Sequence, residues 1–341
     1  MIRKRKIIIT LLVAVLAICL FGVGIYALDH WINQSDNSEY EFDDEKLLYL
    51  GDDIYELNKN VKCYLVIGTD NSGNIEAENT QEYKGSMADF LLLLVLNKTD
   101  ETYGFLQIDR NTITAVPYID REGNGSEEVE DFKEQICCAH WYGANREQGD
   151  DNTVYAVSQL LGELPIDGYF SLHMSDIGIL NHAVGGVKVT LDEDFTKSDP
   201  DMKKGETLKL SDKQAEIYVR GRMDVGDGTN AARMERQETY MKAFKAKAIK
   251  RSKEDPEFAN TLYGQLTNST ALTNIPGSEL SVIMNQIYKA DDLGILKLEG
   301  KTTNGKILDD GLKHEEFYPT QESINKSVME LCGIEETDRT E

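Results

Sequence analysis

DFLLLLVLNKTDETYGFLQI, residues 89–108, places two apolar runs on either side of a polar turn at Lys98 to Thr102. Leu91 to Leu96 are apolar without interruption, so the first run reads as a strand buried on both faces, and YGFLQI returns beside it as the second arm of a hairpin. Upstream, CYLVIG (63–68) is a third short apolar run, stopped by Gly68. Three buried strands in close succession mark the core of a sheet.

Downstream the period changes. After a polar stretch from Asp120 to Glu134, TVYAVSQLLGEL sets Val157, Leu160, Leu161 and Leu164 on one helix face. DGYFSL reads as another strand, followed by a helix around Met174 to Ala183, a Gly-Gly break and the strand VKVTL. In LSDKQAEIYVRGR, Ser211 is an N-cap and Gln214 completes a capping box. A longer helix is expected from about Asn230 to Lys250, with Met234, Met241, Phe244 and Ala248 on its apolar face. Residues 253–335 are patterned less clearly, with a closing helix near Gln321 to Leu331. Alternating strands and helices predict an α/β fold, a mixed central sheet flanked by helices.

The N-terminus supplies a different element. Arg3, Lys4, Arg5 and Lys6 precede an uncharged run from Ile7 to Leu28, which as a helix spans about 33 Å, enough to cross a bilayer. The positive-inside rule then sets residues 1–6 in the cytoplasm and the body outside, as a single-pass membrane protein. The run exceeds a signal-peptide core, so a retained anchor is favoured over a cleaved leader. Residues 29–58 read as an acidic linker, with nine acids against one Lys between positions 36 and 56. Residues 59–250 form the main domain, and 251–341 are a C-terminal extension, either packed on it or separate.

A formal net charge of −24 over 341 residues argues against nucleic acid as a partner. Five cysteines form no C-x-x-C pair, and Cys137 and Cys138 read as small apolar residues. No G-x-S-x-G, H-E-x-x-H or Walker A motif occurs. Against this acidity, YVRGRMDVGDGTNAARMERQ (218–237) concentrates Arg220, Arg222, Arg233 and Arg236. Arg233 and Gln237 share one helix face near its N-terminus, where forked donors, an amide and the helix dipole all favour an anion. Surface salt bridging is the competing reading, and Arg236, rotated off that face, is assigned to a structural ion pair. Arg110, Asp70 and Asp89 all stand at ends of apolar strands, where α/β sheets hold ligands. Two carboxylates beside several guanidiniums could hold a divalent cation bridging to a pyrophosphate.

The ordered set IGTD, ADFLLLLV, DRNT, DGYFSL, HAVGGVKVTL and YVRGR through GDGTNAARMERQ resembles the LytR-CpsA-Psr (LCP) family of exported bacterial phosphotransferases. The resemblance implies transfer of a glycopolymer from a polyprenyl-pyrophosphate carrier to a peptidoglycan sugar hydroxyl, through a phosphodiester. It implies that Arg110, Arg220, Arg222, Arg233 and Gln237 bind the pyrophosphate and that Asp70 and Asp89 position Mg2+. Asp89 or Asp227 would serve as general base. Three departures from the family pattern stand out: Met87 and Phe90 around Asp89, Asn111 after Arg110, and Asn230 before Arg233. Two alternatives remain open, a polyprenyl-pyrophosphate phosphatase on the same site and a non-catalytic envelope protein that binds polyprenyl phosphates or glycan.

Overall fold

The Leu91–Leu96 run forms the middle of a six-stranded sheet. The computed structural model describes residues 46–70, 85–118, 130–222, 224–255, 257–276, 289–308 and 311–340, with isolated positions between 279 and 287. The anchor expected at 7–28 lies outside the described residues, among which no helix is long and apolar enough to cross a membrane.

The strands, in chain order, are β1 (Leu47–Leu50), β2 (Asp53–Glu56), β3 (Val61–Thr69), β4 (Ala88–Asn97), β5 (Thr102–Ile108), β6 (Ile113–Tyr118) and β7 (Glu130–Gln135), then β8 (Gly168–His173), β9 (Lys188–Thr190), β10 (Thr207–Lys209), β11 (Leu272–Thr273), β12 (Asp291–Lys297), β13 (Gly300–Gly305) and β14 (His314–Pro319). The central sheet runs β11-β8-β3-β4-β5-β12. β4 pairs antiparallel with β3 and with β5, as the hairpin reading requires, while β8 on β3 and β12 on β5 are parallel pairs. β3, β5, β8 and β12 therefore point the same way and end at the same edge. Asp70, Arg110 and His173 stand at that edge, joined by Asp89 at the start of the reversed strand β4.

Strand alternation divides the apolar residues between two cores. Leu92, Leu94 and Leu96 face one core with Tyr64, Val66 and Phe105, and Leu91, Leu93 and Val95 face the other with Cys63, Leu65 and Ile67. Both faces are covered, which accounts for the unbroken apolar run. Gly68 sits where β3 meets a register shift against β4, and a Cβ there would lie 2.8 Å from the Cβ of Phe90. Only glycine allows so close an approach.

The helices are α1 (Cys138–Trp141), α2 (Arg146–Leu160), α3 (Ile177–Ala183), α4 (Asp212–Arg220), α5 (Asn230–Glu254), α6 (Phe258–Thr267) and α7 (Gln321–Cys332). α2 begins earlier than its apolar stripe, because the Asn145 side chain accepts from Gln148 N and caps it. Leu161 and Leu164 lie just past its end and are buried. The Ser211–Gln214 capping box of α4 is present, and Thr229 caps α5 by accepting from Ala232 N. Tyr240, Phe244 and Ala248 of α5 face the first core.

One boundary expectation changes and one open alternative is decided. The acidic stretch read as a solvated linker to residue 58 already folds at Leu47, because the β1–β2 hairpin brings Leu48, Leu50, Tyr55 and Leu57 into the second core. The C-terminal extension belongs to the same domain: β12 joins the central sheet beside β5, and α7 buries Ile324, Val328 and Leu331 in the second core. Cys63, Cys138 and Cys332 are free and buried, consistent with an apolar role. Cys137, also free and buried, departs from the apolar reading, because its Sγ accepts from the Arg110 guanidinium.

Candidate functional site

At the shared strand edge, Asp89 lies between two guanidiniums. Its Oδ1 accepts from Nη1 of Arg110, and its Oδ2 stands 3.5 Å from Nη1 of Arg233. Arg110 stands two residues past the end of β5, and Arg233 is on the first turn of α5. The register of β4 against β5 therefore decides that a residue starting one strand meets a residue ending the next. Arg110 is further held by sulfur, its Nη2 lying 2.9 Å from Met87 Sδ and 3.0 Å from Cys137 Sγ.

Arg233 is buried, and burial lowers its pKa to about 10 against the pull of Asp89, with Arg110 and Arg222 adding repulsion. It stays cationic at neutral pH. Three guanidiniums are thus close enough to repel one another, and a further anion among them would relieve that repulsion.

Behind these groups lies a second tier of carboxylates and amides. Asp109 Oδ1 accepts from Asn111 N at 2.8 Å and from Asn230 Nδ2 at 2.6 Å. Burial raises the Asp109 pKa, and these two hydrogen bonds oppose the rise. Glu315 Oε2, from β14, accepts from Asn111 Nδ2 at 3.0 Å, from Arg222 Nη2 at 2.9 Å and from the Asn230 backbone N–H at 3.2 Å. Asn230 Oδ1 in turn accepts from Arg233 Nη2 at 2.6 Å. The two asparagines that depart from the family pattern therefore meet here, sharing the same two carboxylates.

The remaining sequence candidates fall into two groups. Gln237 lies one turn beyond Arg233, buried, its Oε1 accepting from Gln107 Nε2 at 3.4 Å. Asp70 Oδ1 accepts from Met87 N at 3.1 Å, which ties the start of β4 to the end of β3 as a turn residue does. Arg220 and Asp227 point elsewhere. Arg220 makes an i,i+4 pair with Glu216 at 2.5 Å, with its side chain 36% exposed. Asp227 is exposed, and Thr229 N and Oγ1 donate to it at 2.9 and 2.8 Å, which lowers its pKa.

Arg236 departs from the ion pair expected of it. It is buried, donates to the carbonyls of Tyr218 and Gly221, and lies 5.6 Å from the centre of the Phe195 ring. The unpaired carbonyls at the end of α4 supply its acceptors, so it joins two helices.

Next to the charged groups is an apolar cavity of about 90 Å³, between the sheet and helices α3 and α5. Val66, Leu172, Ile177, Tyr240 and Phe244 line it, and Phe90 and Gln237 connect it to Asp89 and Arg233. Phe90, another departure, thus serves as cavity wall. His173 also faces the cavity; burial, then the charge of Arg146, lowers its pKa to about 4, so its ring is neutral at pH 7. Sequence reading did not single out Glu315, Asp109 or His173. Asp109 and His173 carried one signal, a polar residue at a strand end, whereas Glu315 carried none.

The sequence profile of the LytR_cpsA_psr family matches residues 29–329. This chain belongs to that family. It is similar to the polyisoprenyl-teichoic acid–peptidoglycan teichoic acid transferase TagU of Halalkalibacterium halodurans, at 24% identity over 242 residues, 71% of each chain. Among solved structures, protein gbs0355 of Streptococcus agalactiae matches with a TM-score of 0.63 at 17% identity, covering 83% of this chain and 90% of that one. TagT bound to LI-WTA matches with a TM-score of 0.56 at 19% identity, covering 87% and 99%. At these identities the structural likeness is one of fold.

Proposed function

We propose that this LytR_cpsA_psr protein transfers a glycopolymer from a polyprenyl-pyrophosphate carrier to a sugar hydroxyl of peptidoglycan. The observation that carries the reading is the adjacency of a guanidinium cluster and an apolar cavity, joined through Phe90 and Gln237. A polyprenyl chain needs apolar walls, and its pyrophosphate needs fixed positive charge at the end of them. Membership of the family, and the transferase similar to this chain, support the same reading.

In this reading the acceptor oxygen bonds to the phosphorus that carries the glycan, and the bridging oxygen departs with the lipid phosphate. Arg110, Arg222 and Arg233 hold the charge that grows on the departing phosphate, already oriented before the reaction. Gln237 donates to the same group. Arg220 reaches it by releasing Glu216, a half-buried i,i+4 pair that costs little to break. Asp89, the carboxylate inside the cluster, accepts the hydroxyl proton, whereas Asp227 stays with Thr229 and orders the entry to α5.

Mg2+ belongs to the proposal in a limited form. Among the described residues no group of three or more His, Cys, Asp or Glu could hold a metal. The donors present, Asp70 and Asp89, fit an ion that takes most of its ligands from substrate phosphates and water. Bound there, it would add positive charge beside the pyrophosphate. The reading also includes the single-pass anchor at residues 7–28, with the catalytic domain outside the cell and beside its membrane-confined donor.

The test is to incubate the full chain with a polyprenyl-pyrophosphate-linked glycopolymer and Mg2+, with and without peptidoglycan. Glycopolymer joined to peptidoglycan is the expected product. Hydrolysis alone would make the protein a pyrophosphatase, and binding without turnover would leave it a non-catalytic binder; either result overturns the transfer reading.

A further inference from the structure

We propose that Glu315 is a positioning residue of the anion site, through which the C-terminal β13–β14 hairpin sets the geometry of Arg222 and the N-terminus of α5. The inference rests on the pyrophosphate reading above and adds to it a residue from a part of the chain with no recognisable motif.

The geometry is specific. A single carboxylate oxygen, Glu315 Oε2, takes three donors from three segments: the Arg222 guanidinium, the Asn111 side-chain amide and the backbone N–H of Asn230, first residue of α5. Arg222 lies in the segment between α4 and α5, where its other partner is the Gly228 carbonyl at 3.3 Å. Free of Glu315, a long Arg side chain on such a segment would sample many rotamers and would have to be ordered again on binding. With Glu315 in place, one guanidinium edge is fixed and the rest of the fork stays directed.

The hairpin is itself anchored beside the site. Phe317 N donates to the Asn111 carbonyl at 2.9 Å, and Gln135 Nε2 donates to the Glu315 carbonyl at 2.7 Å. Phe317 is buried in the second core. The backbone just after Glu315 is therefore registered against the Asp109–Thr112 turn that carries Arg110. One strand thereby couples Arg110, by its backbone, to Arg222, by its side chain.

A structural ion pair would predict only lost stability on its removal. A positioning role predicts that the loss acts through Arg222. A competing role is also defined by this geometry: a carboxylate at a helix N-terminus beside an Arg occupies a place suited to a phosphate oxygen, so Glu315 could instead block the anion.

A double-mutant cycle separates these roles. Glu315→Gln, Arg222→Ala and the double variant of the full chain are compared for binding of inorganic pyrophosphate by calorimetry, for kcat of transfer and for thermal melting. Glu315→Gln is expected to lower kcat about tenfold, the scale of one charge-assisted hydrogen bond, and to add almost nothing in the Arg222→Ala background. Glu315→Asp, which keeps the charge but shortens the reach, should fall between wild type and Gln; it also serves if Gln impairs folding. Equal losses in both backgrounds, tracking the melting temperature, would overturn the proposal in favour of a structural pair. Tighter pyrophosphate binding by Glu315→Gln would overturn it in favour of a competitor. Wild-type protein that fails to bind pyrophosphate would remove the anion-site reading and this inference with it, whereas normal wild-type binding with an inert Glu315→Gln sinks the inference alone.

Discussion

The two faces of the central sheet are built from alternate residues of the same strands, yet they are packed differently. On one face, Leu91, Leu93 and Val95 meet α2, α7 and the β1–β2 hairpin with almost no solvent contact. On the other, Val66 and Leu172 border a cavity of about 90 Å³ beneath α3 and α5. Apolar surface left facing an open space forgoes dispersion contacts that close packing would supply. One face thus holds the fold together, and the other gives up part of that cohesion to keep room for an apolar guest.

Substitutions should behave differently on the two faces. The largest effect is expected at Leu93, fully buried in the closely packed core: Leu93→Ala should cost about 3–5 kcal/mol of stability, read from the denaturation midpoint. A cost under 1 kcal/mol there would show that this face is not the tighter one. Next comes the charged edge of the open face, where Arg233→Ala should raise the transfer barrier by about 3 kcal/mol, read from kcat on protein shown to be folded. Arg220→Ala, half-buried and outside the cluster until it releases Glu216, should cost less activity than Arg233→Ala; no loss at all would remove Arg220 from the pyrophosphate site.

A pH effect of intermediate size is expected from His173 at the cavity wall. Burial, then Arg146, lowers its pKa to about 4 in the folded chain, against roughly 6.5 when unfolded. Between those values the unfolded chain binds more protons, so stability should fall as pH drops from about 6.5 to 4, by roughly 1–3 kcal/mol. Melts at several pH values should show that slope in the wild type and a weaker one in His173→Gln; identical slopes would exclude His173 as its source.

The smallest change in stability is expected from filling the cavity. Met241 lines it and is only partly buried, so Met241→Trp should alter stability by less than about 1.5 kcal/mol. Binding of a polyprenyl phosphate should be lost while inorganic pyrophosphate still binds. Unimpaired lipid binding would place the lipid elsewhere.

Strands β3, β4, β5, β8 and β9, the capping box at Ser211 and the span of α5 were legible in the sequence, because each is written in local spacing. Local spacing also marked Arg110, Arg233 and Gln237, which stand at element ends. It misjudged the start of the fold: Leu47 to Leu50 alternate in burial within an acid-rich stretch, and the surrounding charge masked them. It missed Glu315, whose partners Asn111 and Arg222 lie 204 and 93 positions away.

By itself the sequence determined which segments are buried on both sides, where α4, α5 and α7 start and which guanidiniums stand near an anion-binding helix end. Periodicity and capping act over a few residues, so a linear reading suffices for them. Only the tertiary structure decided that Arg236 is spent on joining helices, that Asp89 is shared by Arg110 and Arg233, and that a C-terminal carboxylate holds Arg222. Those outcomes depend on strand register and on where the chain returns, and a charge pair is strong only where folding brings both partners together away from water.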